Sequence, residues 1–385
     1  MSTPLSRPIA PDCRFFLGDR PCVWHKREGA LCRCDHYAPT TLSVLIIKLD
    51  AMGDVLRTTS VLPALARKLP NAHITWITRA ESVPLLRNNP HLAAVIAYGP
   101  DALIELGARR FDRVINLDAG RASAGLAAMT QSADKIGFVL DPNGHVRASN
   151  AAASIWLELG LYDDLKRANT RSYQNHMCAI LDLPTDDLAY VLELTPAERS
   201  AAQSRLRDLG LDLARPIVAI HTGGGGRWPL KQWREEGFVQ EIRRLQTDLD
   251  ARAQILLFGG PLERELNRRI TAGIGSPLFD AGCDNEVRHF AGLIGECAVV
   301  VCGDTLAMHV ALAMKRRVVV LFGPTSHAEI ELFGMGEKII PDLGCLSCYK
   351  TSCDFQPNCM DMISVDMVHG AVLRQLALAD ARGAA

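Results

Sequence analysis

Short runs of consecutive apolar residues recur along the chain, each closed by glycine or by a polar turn. In the first half they are "SVLIIK" (43–48), "HITWIT" (73–78), "AAVIAY" (93–98) and "RVINL" (113–117). Stretches with helical spacing lie between them, such as "VLPALARKL" (61–69) and "ALIELGARR" (102–110). Continuous runs, instead of in-and-out alternation, predict parallel strands buried on both faces. Residues 151–195 are more helical and polar. The series then restarts with "PIVAIH" (216–221), "AQILLFGG" (253–260), "CAVVVCG" (297–303) and "RVVVLFGPT" (317–325), with helices over 233–249 and 305–315. Two successive strand–helix series predict an α/β protein of two doubly wound, Rossmann-like units facing a cleft. The chain divides accordingly into a Cys-rich extension (1–40), a first unit (41–195), a second unit (196–365) and a terminal helix (366–385).

Ligands in such sheets sit at the carboxyl ends of the strands. That rule singles out the turns at 49–54, 222–227, 259–264 and 303–309. In "HTGGGGRWPLKQW" (221–233), the glycines 223–226 free the backbone N–H groups to converge on an anion. Arg227 and Lys231 add positive charge beside them. Solvated cations on a flexible loop are the plainer reading; the position after a buried strand favours phosphate. It is not a dinucleotide fingerprint, because GxGxxG with a later acidic residue is absent. In "GDTLAMHVALAMK" (303–315), Asp304 or Thr305 is expected to cap a helix, with His309 one turn on from Thr305. The turn "KLDAMGDVL" (48–56) instead offers Asp54. A carboxylate opposite a departing phosphate suits general-base catalysis, whereas an isolated turn Asp more often only caps a helix.

Composition narrows the function classes. Charged residues make up 22% and the net charge is −1, so neither nucleic acid nor an acidic membrane is drawn to the chain in bulk. No spanning apolar segment and no signal-peptide pattern is apparent, and a cytoplasmic protein is expected.

These motifs together resemble glycosyltransferase family 9, the ADP-heptose:lipopolysaccharide heptosyltransferases. "KLDAMGDVLRTTSVLPAL", "RWPLKQW" and "GDTLAMHVALAMKRRVVVLFGPT" occur in the family's order, over about 43–360. The resemblance implies a GT-B fold with the donor in the second unit. It implies inverting transfer of heptose from ADP-heptose with no catalytic metal. Asp54 falls on the family's proposed base. Thr222, Gly223 and Gly224 fall at the donor phosphates, and Asp304, Thr305 and His309 fall on "DTxxxH", which holds heptose and pyrophosphate. Glu263 in "FGGPLERE" and Asn285 fall near the nucleotide. Gly226 stands where the family usually has Lys, and Leu306 where it usually has Gly; both departures bear on donor choice.

The acceptor implied is a lipopolysaccharide core or a similar surface glycan, with peripheral contact at the inner face of the membrane. A protein hydroxyl, another nucleotide sugar, or a non-catalytic GT-B protein binding nucleotide or metal are the alternatives.

Twelve cysteines remain. Cys178, Cys283, Cys297 and Cys302 lie among apolar neighbours, as core thiols do. Cys345, Cys348, Cys353 and Cys359 form C-x2-C-x4-C-x5-C, a set that suits structural Zn or Fe; free or reversibly oxidised thiols are the other reading. Cys13, Cys22, Cys32 and Cys34, with His25 and His36 nearby, are less regular; structural Zn or Fe is a reading there too, behind free or reversibly oxidised thiols.

Overall fold

The structure is a computed structural model, and it describes residues 7–226 and 228–383. The first series forms β1 (Leu42–Ile47), β2 (Ala72–Thr78), β3 (Ala94–Ala97), β4 (Arg113–Asn116), β5 (Asp134–Leu140) and β6 (Val146–Ala148). They lie side by side as β3-β2-β1-β4-β5-β6, all parallel except β6. The second series forms β7 (Ile217–His221), β8 (Gln254–Phe258), β9 (Phe279–Asp280), β10 (Val299–Gly303), β11 (Arg317–Leu321) and β12 (Gly336–Ile339). Its order, β12-β11-β10-β7-β8-β9, repeats that of the first sheet, and every pair is parallel. Two parallel sheets with flanking helices make an α/β GT-B fold.

The helices used below are α1 (Val23–Glu28), α2 (Met52–Thr58), α3 (Tyr173–Leu181), α4 (Glu235–Leu249), α5 (Val287–Gly295), α6 (Leu306–Ala313) and α7 (Val365–Gly383). Central strands are buried on both faces: Val44 to Ile47 of β1 and all of β10 and β11 are closed to solvent. The order in which successive strands are added reverses between β1 and β4 in one sheet and between β7 and β10 in the other. Ligand crevices open at such points. The turns at 49–54 and 303–309 both leave them.

Two features depart from the sequence reading. Neither β5, β6, β9 nor β12 was foreseen; three are short or polar, and β5 carries Gly137 at φ 98°. These outer strands bury less surface and so lack the continuous apolar run. The resemblance also suggests a terminal helix packed back on the first unit. Instead α7 lies on the second sheet, with Val368, Ala371, Val372 and Leu376 in the cluster that holds Val299, Val301 and Val319. Among the described residues no helix is long and apolar enough to cross a membrane.

Candidate active site

On the first-sheet side, β1 is followed by Lys48, which is buried and ion-paired with Asp118 after β4. Asp118 also accepts the Leu49 N–H and, at 3.1 Å, the Asp50 N–H. Burial works against the Lys48 ammonium, but Asp118, Tyr173 and Asp54 outweigh it and raise its pKa. The pair fixes the turn that leads into α2. Ala51 takes φ 38° there, outside the usual range for a residue with a side chain.

Asp54 is in the first turn of α2 but does not cap it. Its carboxylate meets the Arg57 guanidinium at 2.8 Å. Arg57 in turn lies 3.8 Å from the centre of the Tyr173 ring, whose hydroxyl is 2.6 Å from that of Thr58. Burial pushes the Asp54 carboxyl up, yet Arg57, Lys48 and Lys231 outweigh burial and leave its pKa below the ordinary value. The carboxylate is therefore ionised at neutral pH.

On the second-sheet side, Asp304 leaves β10. It accepts from Thr325 Oγ1 at 2.8 Å and from Lys231 Nζ at 3.3 Å. Burial raises its pKa, but Lys231 and the Thr325 hydrogen bond contribute to a net lowering. Thr305 occupies the N-cap of α6, yet neither it nor Asp304 caps with its side chain. The Thr305 hydroxyl is buried without a hydrogen-bond partner. His309 is buried one turn on, with Nδ1 3.3 Å from the Tyr190 hydroxyl. Burial, then Arg57, brings its pKa down to about 4, so it is neutral at pH 7. The two sides touch here: a Cβ on Gly53 would stand 2.8 Å from His309 Cδ2.

Two adjoining cavities fill the space between. The polar one, about 840 Å³, is lined by Asp54, Arg57, Lys231, Asp304, His309 and Glu329, among others. The other, about 410 Å³, has apolar walls from Leu262, Val287 and Phe290, with Glu263, Asn285 and His221 at its edge. Met52, Gly225, Thr305 and Leu306 belong to both. A nucleoside suits the apolar cavity, and the N-terminus of α6 at the junction suits phosphate.

Most sequence-predicted residues therefore meet in one place. Asp54, Lys231, Asp304, Thr305, His309 and Gly224 line the polar cavity, and Gly223, Glu263 and Asn285 line the apolar one. Gly224 is closed on one side by Gln232, whose Cβ would lie 2.8 Å from an added methyl, so the glycine is needed for space. Thr222 stands apart: it is buried and donates to Asn267 Oδ1 at 2.5 Å. Glu263 spends one carboxylate oxygen on the Gly260 N–H at 2.9 Å. Arg227 lies outside the described residues.

Sequence reasoning missed Lys48, Arg57, Asp118, His221 and Glu329. Arg57 was within reach, since it sits at i+3 from Asp54 on a helix. Lys48 and Asp118 are 70 positions apart and meet only through the register of β1 and β4.

The cysteine expectations resolve unevenly. Cys178, Cys283, Cys297 and Cys302 are buried free thiols; burial lifts Cys178 to about 11 and Cys297 to about 12. Cys345, Cys348, Cys353 and Cys359 are free and at least partly exposed. Among the described residues no three or more His, Cys, Asp or Glu side chains converge as ligands of one metal ion.

The model of glycosyltransferase family 9 (heptosyltransferase) matches residues 103–358. The chain is similar to lipopolysaccharide heptosyltransferase 2 of Salmonella typhimurium, 26% identical over 304 residues that span 74% of this chain and 84% of that protein. Its fold is similar to the family 9 glycosyl transferase of Veillonella parvula, with a TM-score of 0.71 and 18% identity, over 88% of this chain and 98% of that one. It is also similar to the ADP-heptose lps heptosyltransferase II of E. coli, with a TM-score of 0.66 and 21% identity, over 88% of this chain and 100% of that one.

Proposed function

The chain belongs to glycosyltransferase family 9, and on that footing we propose that it transfers heptose from ADP-heptose to a hydroxyl of a lipopolysaccharide core or similar glycan, with Asp54 as general base. The observation that carries this reading is one polar cavity. It has an ionised Asp54 on one wall, and Lys231, His309 and the unpartnered Thr305 hydroxyl on the other. The two relatives named above as heptosyltransferases act in lipopolysaccharide chemistry, which supports the donor and the acceptor class.

The adenosine occupies the apolar cavity, with Glu263 and Asn285 at the nucleoside. The pyrophosphate spans the junction, held by the backbone N–H of Gly224 and by the N-terminus of α6, with Gly223, whose N–H is donated to His221 Nδ1, giving the chain room to approach. The acceptor oxygen attacks the anomeric carbon on the face opposite the leaving group. Its proton passes to Asp54, and the C–O bond to phosphate breaks with its electron pair on departing ADP. Lys231 and the dipole of α6 offset the charge that builds on that phosphate. Neutral His309 contributes a hydrogen bond and adds no charge to the site. Asp304, ionised and anchored by Lys231 and Thr325, accepts from sugar hydroxyls. Arg57 holds Asp54 in place and keeps it deprotonated. The catalytic step needs no cofactor.

ADP release tests this, measured with ADP-heptose, a panel of truncated lipopolysaccharide cores and the Asp54→Asn variant. Release that depends on one core and on Asp54 is expected. ADP binding without release on any core would redirect the search to a protein acceptor or another donor sugar. Failure to bind ADP at all would sink the reading.

A further inference from the structure

The extension before β1 has almost no core of its own. Of its described residues only Ala10 is buried among the apolar ones, and α1 buries none. Segments this small seldom hold a shape without disulfides or metal. Yet it folds back on itself, with Cys13 bridged to Pro39 and the Thr40 N–H on the Asp12 carbonyl at 2.7 Å. At its centre is a cavity of about 220 Å³, and Cys13, Cys22, Cys32 and Cys34 all line it. All four are free thiols.

The surroundings of this cavity are specific. Arg7, Arg20 and Arg33 line it and no Asp or Glu does. Cys22 caps α1, its sulfur accepting the His25 N–H at 3.5 Å, which fixes the thiol at the cavity wall. Arg33 takes φ 66° between Cys32 and Cys34, a turn that lets both thiols face the same space. The Trp24 indole N–H is buried in this lining without an acceptor. His25 Nδ1 is 2.9 Å from the Ala30 carbonyl, which fixes its ring.

A single zinc ion would draw four sulfurs to about 2.3 Å from one point. The thiols here surround a volume instead, one that would hold several waters at about 30 Å³ each, and they do not converge on a single ion. We propose that the N-terminal extension binds an iron–sulfur cluster through Cys13, Cys22, Cys32 and Cys34. Four cysteines are the usual ligand set of such clusters. On binding, each thiol gives up a proton and each sulfur donates a pair to iron. The oxidised four-thiolate cluster is a dianion, which Arg7 and Arg33 offset, Arg20 being paired with Asp19. The Trp24 N–H supplies a donor for a cluster sulfur. The cluster takes the place of the missing core and pins the extension beside β1.

The test uses the full chain, purified without oxygen, and measures iron, zinc and acid-labile sulfide per chain. Iron and sulfide in equal numbers are expected, with visible thiolate-to-iron absorption. The double variant Cys22→Ser, Cys34→Ser should lose both. The double variant Cys345→Ser, Cys348→Ser should keep both, and the main unfolding transition of the two-sheet body should survive in each. Apoprotein given equal ferrous and ferric iron with sulfide should regain the absorption. Zinc without sulfide, no metal on the purified or the reconstituted chain, or iron that persists in the N-terminal variant and leaves with the C-terminal one would overturn the proposal.

Discussion

Gly53 has no room for a side chain, because a Cβ there would meet His309 Cδ2 at 2.8 Å. His309 is itself held by Tyr190. Gly53→Ala should therefore force the turn and the histidine apart. We expect a loss of about 1–3 kcal/mol in urea unfolding and a fall in turnover larger than the fall in ADP affinity. One residue along, Asp54→Asn should lower turnover by roughly 10²–10⁴-fold, the usual range for a general base, with ADP affinity kept. The sign of its pH dependence follows from the depressed carboxyl. The base works ionised, so activity is lost only as pH falls through a pKa below the ordinary 3.8. A kcat/KM profile whose acid limb lies near neutrality would point to another base.

Residues of this kind were legible in the sequence where one local segment carries them. Asp54, Asp304, Thr305 and His309 each follow a buried strand at the carboxyl end, which is where the fold rule looks. Residues supplied by chain crossing were not. Tyr173 and Glu329 reach the cavity region from segments with no strand signal. Thr222 shows the converse: a hydroxyl at the right place in the sequence is turned inward to Asn267 by the packing of β7 against β8.

At the scale of elements, α7 is tied to α4 by a buried polar pair. Glu241 is 1% exposed, with an oxygen 3.4 Å from His369 Nδ1, and His369 Nε2 is 3.0 Å from Asp248. Burial, with Asp248 adding to it, raises the Glu241 carboxyl to about 8. Burial lowers His369. Glu241, kept protonated by burial, faces Nδ1 without a hydrogen bond, while Nε2–H donates to Asp248. An acid whose folded pKa is raised costs stability as pH climbs from its unfolded value, 4.5, to about 8, since the unfolded chain sheds the proton first. Each unit is worth about 1.4 kcal/mol. Glu241→Gln keeps the shape and removes the titration, so its melting temperature should exceed that of the parent at pH 8 and match it near pH 4. Equal curves at both pH values would refute the protonated pair. Central strands were readable here because they are apolar throughout. The position of α7 was not, because its amphipathic face fits either sheet and tertiary packing decides.

In the whole molecule, Arg288 of α5 binds the two halves. It pairs with Glu198 at 2.5 Å, donates to the Glu193 carbonyl at 2.7 Å, and reaches the Pro84 carbonyl of the first half at 2.8 Å. The Arg288 hydrogen bond is the main reason that Glu198 titrates at about 2. That stabilisation is present above the unfolded value of 4.5 and lost as pH falls toward 2. Arg288→Ala should cost about 1–3 kcal/mol, because the Pro84 and Glu193 carbonyls lose their donor while the part-exposed Glu198 can turn to water, and should leave a protein whose stability depends less on pH between 2 and 4.5. Chemical unfolding across that range reads both effects.

Because α7 remains on the second sheet, the described chain passes from one half to the other only once, between α3 and the helix Pro196–Asp208. The halves are thus joined covalently by one tether and otherwise by surface contact. A hinge with one strand can swing and twist, where two strands would confine it to a single axis. It can also be cut. Fragments divided in the exposed stretch at Asp186–Asp187 should reassemble when co-expressed and recover ADP-heptose turnover, whereas a second crossing would leave each fragment holding a stranded piece of the other's sheet.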